Sequence, residues 1–199
     1  MSNPEKTPAF SIVLAVHDQA QSIGQHLPAY LTQQYDDYEV IVVDESSADE
    51  TNDVLKQLKD THKHLYTTFL PKYQFQKNRR RLALTIGVKA AKREWVIFAD
   101  IDTIPPSDQW LSELAEWAAS PTVLLLGYIR RKSGDVQLQT FEDIDKARGK
   151  VSKTERRKAH GHNPRWMRYQ RGWYDFIVVR TDKAHETLRL FENRDSMKL

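Results

Sequence analysis

The run Trp95-Val96-Ile97-Phe98-Ala99-Asp100-Ile101-Asp102 decides how this chain is read. Its large apolar residues predict a buried strand, and two carboxylates, one residue apart, follow where that strand should end. Burying a carboxylate inside an apolar strand is costly, so Asp100 and Asp102 are expected at its mouth, in a crevice. Two like charges that close repel unless a cation or hydrogen-bond donors compensate them. A hard divalent ion, Mg²⁺ or Mn²⁺, shared with a diphosphate is one compensation. The plainer alternative is that one carboxylate caps the next helix and the other is solvated. An isolated Asp-x-Asp does not choose between them, and the surrounding pattern has to.

Outward from that run, strand and helix signals alternate. Phe10-Ser11-Ile12-Val13-Leu14-Ala15-Val16 and Val40-Ile41-Val42-Val43 predict buried strands, and residues 65–70 a short one ended by Pro71. Asp18-x-x-Gln21 and Ser47-x-x-Glu50 have the form of capping boxes. They precede Ile23, Leu27, Tyr30 and Leu31 in the first case, and Val54, Leu55 and Leu58 in the second, at helical spacing. Gly24 and Pro28 weaken the first helix, and Pro28 is a candidate kink. Leu82, Ile86 and Ala90 predict a helix leading into the Trp95 strand. Pro105-Pro106 is expected to open another, with Leu111, Leu114, Ala115 and Ala118 on one face. Val123-Leu124-Leu125-Leu126-Gly127-Tyr128-Ile129 predicts a further strand. Beyond it come a turn-like stretch (130–135), a charged helix (141–153), a loop broken by Gly161 and Pro164 (159–171), a strand (175–179) and a last helix (181–191).

Continuous apolar strands interleaved with amphipathic helices predict an α/β fold with a mainly parallel sheet covered on both faces. Such sheets bind ligands at the carboxyl ends of their strands. Three strands here end in polar residues: His17-Asp18, Asp44-Glu45-Ser46-Ser47 and Asp100-Ile101-Asp102. This convergence is the main argument for an active crevice.

The 199 residues suffice for one domain with a real core, and no repeat or domain boundary interrupts them. The absence of cysteine excludes disulfides, thiolate metal sites and cysteine nucleophiles. The opening MSNPEKTPAF has no apolar signal region, and no apolar run approaches the roughly 20 residues that span a bilayer. A cytoplasmic protein, at most peripheral to the cytoplasmic membrane, is expected. The net charge of +3 hides an asymmetry: residues 146–171 carry +9 and the remainder −6. That segment, with Trp166, Tyr169 and Trp173 in or beside it, suits a phosphate, an anionic membrane surface or nucleic acid, or is simply a solvated surface. His160 and His162 are candidate metal or phosphate ligands within it, or solvated loop residues. Nucleic-acid binding leaves the three acidic strand ends unexplained, and no nucleic-acid partner is expected.

These blocks resemble the family 2 glycosyltransferases, which have the GT-A fold. Ser11-Ile12-Val13-Leu14-Ala15-Val16-His17-Asp18 looks like the family's first strand and turn. Val42-Val43-Asp44-Glu45-Ser46-Ser47-Ala48-Asp49-Glu50-Thr51 is similar to its Val-Val-Asp-Asp-Gly-Ser-x-Asp-x-Thr signature. Ile86-Gly87-Val88-Lys89-Ala90-Ala91, the Trp95–Asp102 run, and Pro106 with Trp110-Leu111 follow in the family's order. The wording of residues 79–87 looks closer to a subgroup found in Bacteroidetes than to the family's commonest form. Gly172-Trp173-Tyr174-Asp175-Phe176-Ile177-Val178-Val179-Arg180 is similar to the acceptor-side strand.

The resemblance implies a metal-dependent, inverting transferase that moves a sugar from a nucleotide-diphosphate sugar, with a UDP-sugar favoured, to a glycan or lipid-linked acceptor. It implies a donor-binding half over about residues 10–126 and an acceptor-side half over about 127–199. Donor contacts fall on Ala15, Val16, His17, Asp44, Glu45, Arg81, Asp100 and Ile101. Asp44 is the acceptor for a uracil-like imide, or, on the residues alone, a helix cap. Asp100 and Asp102 are the candidates for holding Mn²⁺ or Mg²⁺. Three departures stand out. Ala83-Leu84-Thr85 replaces the family's Ala-Arg-Asn, so the arginine's contact is expected from Arg80 or Arg81. Glu45-Ser46 replaces Asp-Gly. The family's Glu-Asp base motif has no clear counterpart, which leaves Asp195, Asp175 and Glu192 as base candidates, with Asp195 preferred by its position after the last helix. A degenerate module that binds a nucleotide sugar without turnover is the alternative.

Overall fold

The computed structural model describes residues 7–72, 79–118, 124–129, 136–140, 168–169, 172–173 and 175–192. In chain order its elements are β1 (Phe10–Val16), α1 (Ala20–Leu31), β2 (Tyr38–Asp44), α2 (Thr51–Thr61), β3 (Leu65–Phe69), α3 (Arg79–Ala90) and β4 (Trp95–Ala99). There follow α4 (Trp110–Ala118), β5 (Leu124–Ile129), β6 (Val136–Thr140), β7 (Arg168–Tyr169), β8 (Gly172–Trp173), β9 (Phe176–Arg180) and α5 (Thr181–Glu192).

Seven strands form one sheet in the order β3-β2-β1-β4-β9-β5-β6. The block β3-β2-β1-β4 is parallel throughout. β9 enters antiparallel between β4 and β5, and β6 runs antiparallel to β5. Only β9 and β6 therefore oppose the other strands of the sheet, which is α/β and mainly parallel as expected. Val13, Val40 and Ile97, like every other apolar residue of β1, β2 and β4, are buried, because helices cover both faces. One face packs Ile23, Leu27 and Tyr30 of α1, Leu55 of α2 and Trp110, Leu111 and Leu114 of α4 against β1, β2 and β4. The other packs Ala83, Leu84 and Val88 of α3 and Ala184 and Leu188 of α5.

Those two layers fix where a crevice opens. From β1 the chain winds outward through β2 to β3 with α1 and α2 on one face, then returns through α3 on the opposite face to β4. Right-handed crossovers require that change of face when the winding direction reverses. β1 and β4 are neighbours whose connections run toward opposite edges of the sheet, β1 to β2 on one side and β4 to β5 on the other, and the loops at their carboxyl ends diverge to leave a crevice between them. The ladder shows the divergence: β1 pairs with β4 only as far as Leu14↔Ala99, but with β2 as far as Val16↔Asp44.

Several local expectations are corrected. Neither capping box forms. α1 starts at Ala20 and α2 at Thr51, and the residues before them, Gln19 and Glu50, make no side-chain cap. Asp49 serves both helices instead: Oδ2 accepts from Ala20 N at 3.0 Å and Oδ1 from Thr51 N at 3.0 Å. Burial nudges the Asp49 carboxyl up, but the Thr51 hydroxyl and these backbone N–H groups outweigh it and hold the pKa below the ordinary aspartate value. α1 continues through Pro28. Pro105-Pro106 does not open α4, which begins only at Trp110. The buried face of α3 is Ala83, Leu84, Gly87 and Val88, one position round from the expected stripe, and Leu82, Ile86 and Ala90 pack at its margin. Gly87 permits this: a Cβ there would lie 2.3 Å from Val13 Cγ1, so α3 sits directly on β1. Within the expected loop 159–171, Arg168–Tyr169 pairs with Gly172–Trp173 as a two-stranded ribbon. The expected helix over 141–153 lies outside the described residues.

Candidate active site

The ends of β1 and β2 are joined by side chains that bond to the neighbouring loop's backbone. Asp18 N donates to Ser47 Oγ at 2.9 Å, Ala48 N to Asp18 Oδ1 at 2.7 Å, and Glu45 N to Val16 O at 2.8 Å. Two non-glycine residues here have positive φ, Asp18 at 49° and Ser46 at 65°. Such a backbone is uncommon without compensation. Ser46 has it: its hydroxyl donates to Leu70 O and accepts from Arg79 Nη2 at 3.0 Å. The residue thus keeps, with a side chain, the left-handed turn for which the family's signature carries glycine.

Asp44 is buried at the end of β2. Its Oδ1 accepts from Ser47 N at 2.9 Å and Ser47 Oγ at 2.5 Å, and its Oδ2 from Asn52 Nδ2 at 3.3 Å. Both oxygens are engaged by neutral donors. Glu45, also buried, is treated differently. Among the described residues its Oε1 has no hydrogen-bond donor, and it faces Arg80 Nη1 at 3.9 Å. Burial pushes the Glu45 carboxyl up, Arg80, His17 and Arg79 pull it part of the way back, and Asp44 adds to the rise. Arg79 Nη2 also donates to Glu45 O at 2.6 Å.

Asp100 follows β4 and is 4% exposed. Its Oδ2 pairs with Arg80 Nη2, and its Oδ1 accepts from Asp102 N at 3.1 Å. Arg80, on the first turn of α3, thereby bridges the ends of β2 and β4. Arg79 stands beside it, and Arg81 lies half-buried on the same turn. Asp102 points outward, its side chain 60% exposed, with Oδ1 3.7 Å from His26 Nδ1. Ile101 between them is buried.

Ala15 and Val16 are buried at the end of β1, and His17 stands half-exposed at the mouth, 3.5 Å from Asp18 Oδ2. Asp175 precedes β9. The antiparallel β4–β9 ladder ends at Ala99↔Phe176, so Asp175 and Asp100 each stand one residue beyond its last pair, and Asp175 N donates to Gly127 O at 2.9 Å. Burial, then the carboxylates of Asp100, Asp175 and Asp102, push the Tyr30 hydroxyl well above the ordinary tyrosine value. Asp195, His160, His162 and most of the basic segment lie outside the described residues, and Glu192 is described only as the end of α5. No cluster of three potential metal ligands occurs among the described residues. Asp102 nonetheless suits a hard divalent ion, since Mg²⁺-type sites use one or two carboxylates and complete their shell with substrate phosphate and water. Asp100 is already engaged by Arg80 at Oδ2 and by Asp102 N at Oδ1.

Sequence reasoning passed over His26 and Tyr30, although Tyr30 has the helical spacing of a core residue, which it also is. Asn52 carried no signal, and Asp49 was visible only as part of the family signature.

A doubly covered α/β sheet with carboxylates and arginines gathered at its switch point is the GT-A arrangement. The glycosyl transferase family 2 model matches residues 11–182, and the chain belongs to that family. A poly-beta-1,6-N-acetyl-D-glucosamine synthase of Staphylococcus epidermidis is 25% identical over 146 residues, 71% of this chain and 34% of that protein. The synthase of Staphylococcus aureus strain COL is 25% identical over 107 residues, 53% of this chain and 24% of its own length. Among solved structures, the mannosyltransferase PcManGT from Pyrobaculum calidifontis, in complex with GDP-Man and Mn²⁺, aligns with TM-score 0.63 and 18% identity over 92% of this chain and 47% of that one. S. aureus TarS 1-349 in complex with UDP-GlcNAc aligns with TM-score 0.57 and 18% identity over 90% and 47%. The chain spans 34% or less of the curated relatives' length and under half of these solved chains. No helix among the described residues is long and apolar enough to cross a membrane.

Proposed function

We propose that this chain transfers a sugar, with inversion, from a UDP-sugar to a glycan or lipid-linked acceptor, using Mn²⁺ or Mg²⁺. The observation that carries the reading is Arg80 held between Glu45 and Asp100 at the β1/β4 switch point, with Asp102 exposed beside them. The curated relatives are named as synthases of an N-acetyl-D-glucosamine polymer, which favours an amino-sugar donor and a polysaccharide product.

In this reading the parallel block with α1 to α4 binds the donor, and β5, β6 and β9 serve the acceptor side. Ala15, Val16 and His17 line the base and ribose end. Asp44 accepts from the base imide, and its bonds to Ser47 and Asn52 hold its carboxylate in place. Glu45 and Asp100 steer Arg80, and with it Arg81, toward the donor; Asp100 and Ile101 border the ribose. Asp102, with Asp100, holds the divalent ion, which when bound offsets the charge that builds on the leaving diphosphate. The acceptor oxygen bonds to the anomeric carbon as the bond to the diphosphate oxygen breaks, and the diphosphate leaves with the electron pair. The acceptor hydroxyl's proton goes to a carboxylate. Asp175 is the better placed candidate, because it stands at the same end of the β4–β9 ladder as Asp100. The basic segment 146–171 is assigned to an anionic acceptor or membrane surface on its charge alone.

Calorimetric titration of UDP, GDP and their sugar conjugates, with Mn²⁺ and with chelator, tests the reading. Metal-dependent binding of a uridine nucleotide is expected; binding to none of them overturns it. Asp102→Ala should remove the metal dependence and, as the side chain is mostly exposed, shift stability by no more than about 0.5 kcal/mol.

A further inference from the structure

Helix α1 touches the Asp100–Asp102 turn through one continuous face. His26 and Tyr30, four residues apart, share one face of the helix, and Gln33 lies two residues beyond its end. Each bonds to the loop that follows β4. His26 Nδ1 lies 3.1 Å from Ile101 O. A carbonyl oxygen only accepts, so the proton sits on Nδ1, and this nitrogen is a donor rather than a metal ligand. The Tyr30 hydroxyl lies 3.1 Å from Asp100 O and also contacts Thr103 O. Gln33 Nε2 donates to Ser107 O at 2.9 Å, and its Oε1 accepts from Leu111 N at 3.2 Å.

The Tyr30 ring is itself fixed. It meets Trp110 of α4 edge-on at 6.0 Å, and Trp110 meets Phe176 of β9 edge-on at 5.1 Å. Phe176 adjoins Asp175. The Asp100, Ile101 and Thr103 carbonyls are therefore held by α1, while the Asp102 side chain remains exposed. Hydrogen bonds of this kind to groups behind a metal-binding carboxylate set its aim.

We infer that His26 and Tyr30 are positioning residues, which aim the Asp102 carboxylate by holding the Ile101 and Asp100 carbonyls. The inference rests on the proposed metal-dependent nucleotide binding. Neither residue was assigned a role by the pattern of acidic strand ends.

The test compares wild type, Tyr30→Phe, His26→Leu and His26→Asn. UDP affinity is measured with Mn²⁺ and with chelator, and Mn²⁺ binding alone by paramagnetic resonance. Tyr30→Phe removes only the hydroxyl, and Asn at position 26 restores a donor near the place of Nδ1. Tyr30→Phe and His26→Leu should each weaken Mn²⁺ binding and the Mn²⁺-dependent gain in UDP affinity about tenfold, leaving metal-free affinity unchanged. His26→Asn should recover most of the loss. Gln34→Ala, which removes an exposed contact with Asp108 farther along the same loop, should change neither. Lower melting temperatures with an unaltered metal-dependent gain would reduce both residues to a structural role and overturn the inference. A wild type without any metal-dependent binding would overturn the proposed function first, and this inference with it.

Discussion

Asp44 and Asp100 stand at the ends of two strands of the same sheet, are both buried, and are held in opposite ways. Asp44 is surrounded by Ser47 and Asn52, donors from its own loop and the adjoining helix turn. Asp100 is met by Arg80, a cation on a long side chain that arrives from another helix. Fixed neutral donors hold a carboxylate still and leave its charge in place. A guanidinium cancels the charge and can be exchanged for another cation. In the proposed donor site, the first arrangement suits an anion that reads a base by position, and the second an anion that exchanges its counter-ion for a metal.

Removing the counter-ion is the severest way to break the comparison. Arg80→Ala leaves the buried Asp100 charge facing Glu45, and unfolding in urea should show a loss of about 3 kcal/mol. The double variant Arg80→Ala/Asp100→Asn should recover much of it, because the uncompensated charge is then gone. On the other side, Asp44→Asn keeps the shape but weakens acceptance from Ser47. About 1.5 kcal/mol of stability should be lost, together with most of the nucleotide affinity. A loss as large as that of Arg80→Ala would mean that the two carboxylates are not held differently after all.

The smallest effect concerns pH. Glu45 has a folded pKa raised above its unfolded value, so its ionised form costs stability once folded. The contribution is favourable at pH values below the unfolded pKa, near 4.3, and is lost as pH rises through the raised folded value. Glu45→Gln should therefore gain on wild type at neutral pH, with the gap closing as pH falls toward 4. A Glu45→Gln variant less stable than wild type at neutral pH, with that deficit closing on acidification, would show that Arg80, and not burial, dominates at Glu45.

The strands, their acidic ends and the α/β class were legible because apolar runs bounded by polar clusters leave little choice of element. The insertion of β9 between β4 and β5 was not. Hydrophobic periodicity reports which residues are buried and says nothing of strand order, so Asp175's place at the same ladder end as Asp100 appeared only with the ladder. The capping boxes failed because Ser47 and Asp18 had nearer partners across the two loops, and local pattern cannot see such competition. His26 and Tyr30 were hidden for a third reason. Their bonds run to backbone carbonyls, which every sequence has at every position.

One contact in the core has a consequence at the rim. Gly87 lets α3 lie on β1, and Arg80 stands two turns upstream on that helix, about 10 Å along its axis. The helix works as a lever with Gly87 at its fulcrum. A methyl group added there would lift the helix from Val13 and swing the guanidinium away from both carboxylates, so the spacing between two layers of the core sets the reach of a charge at the strand mouths.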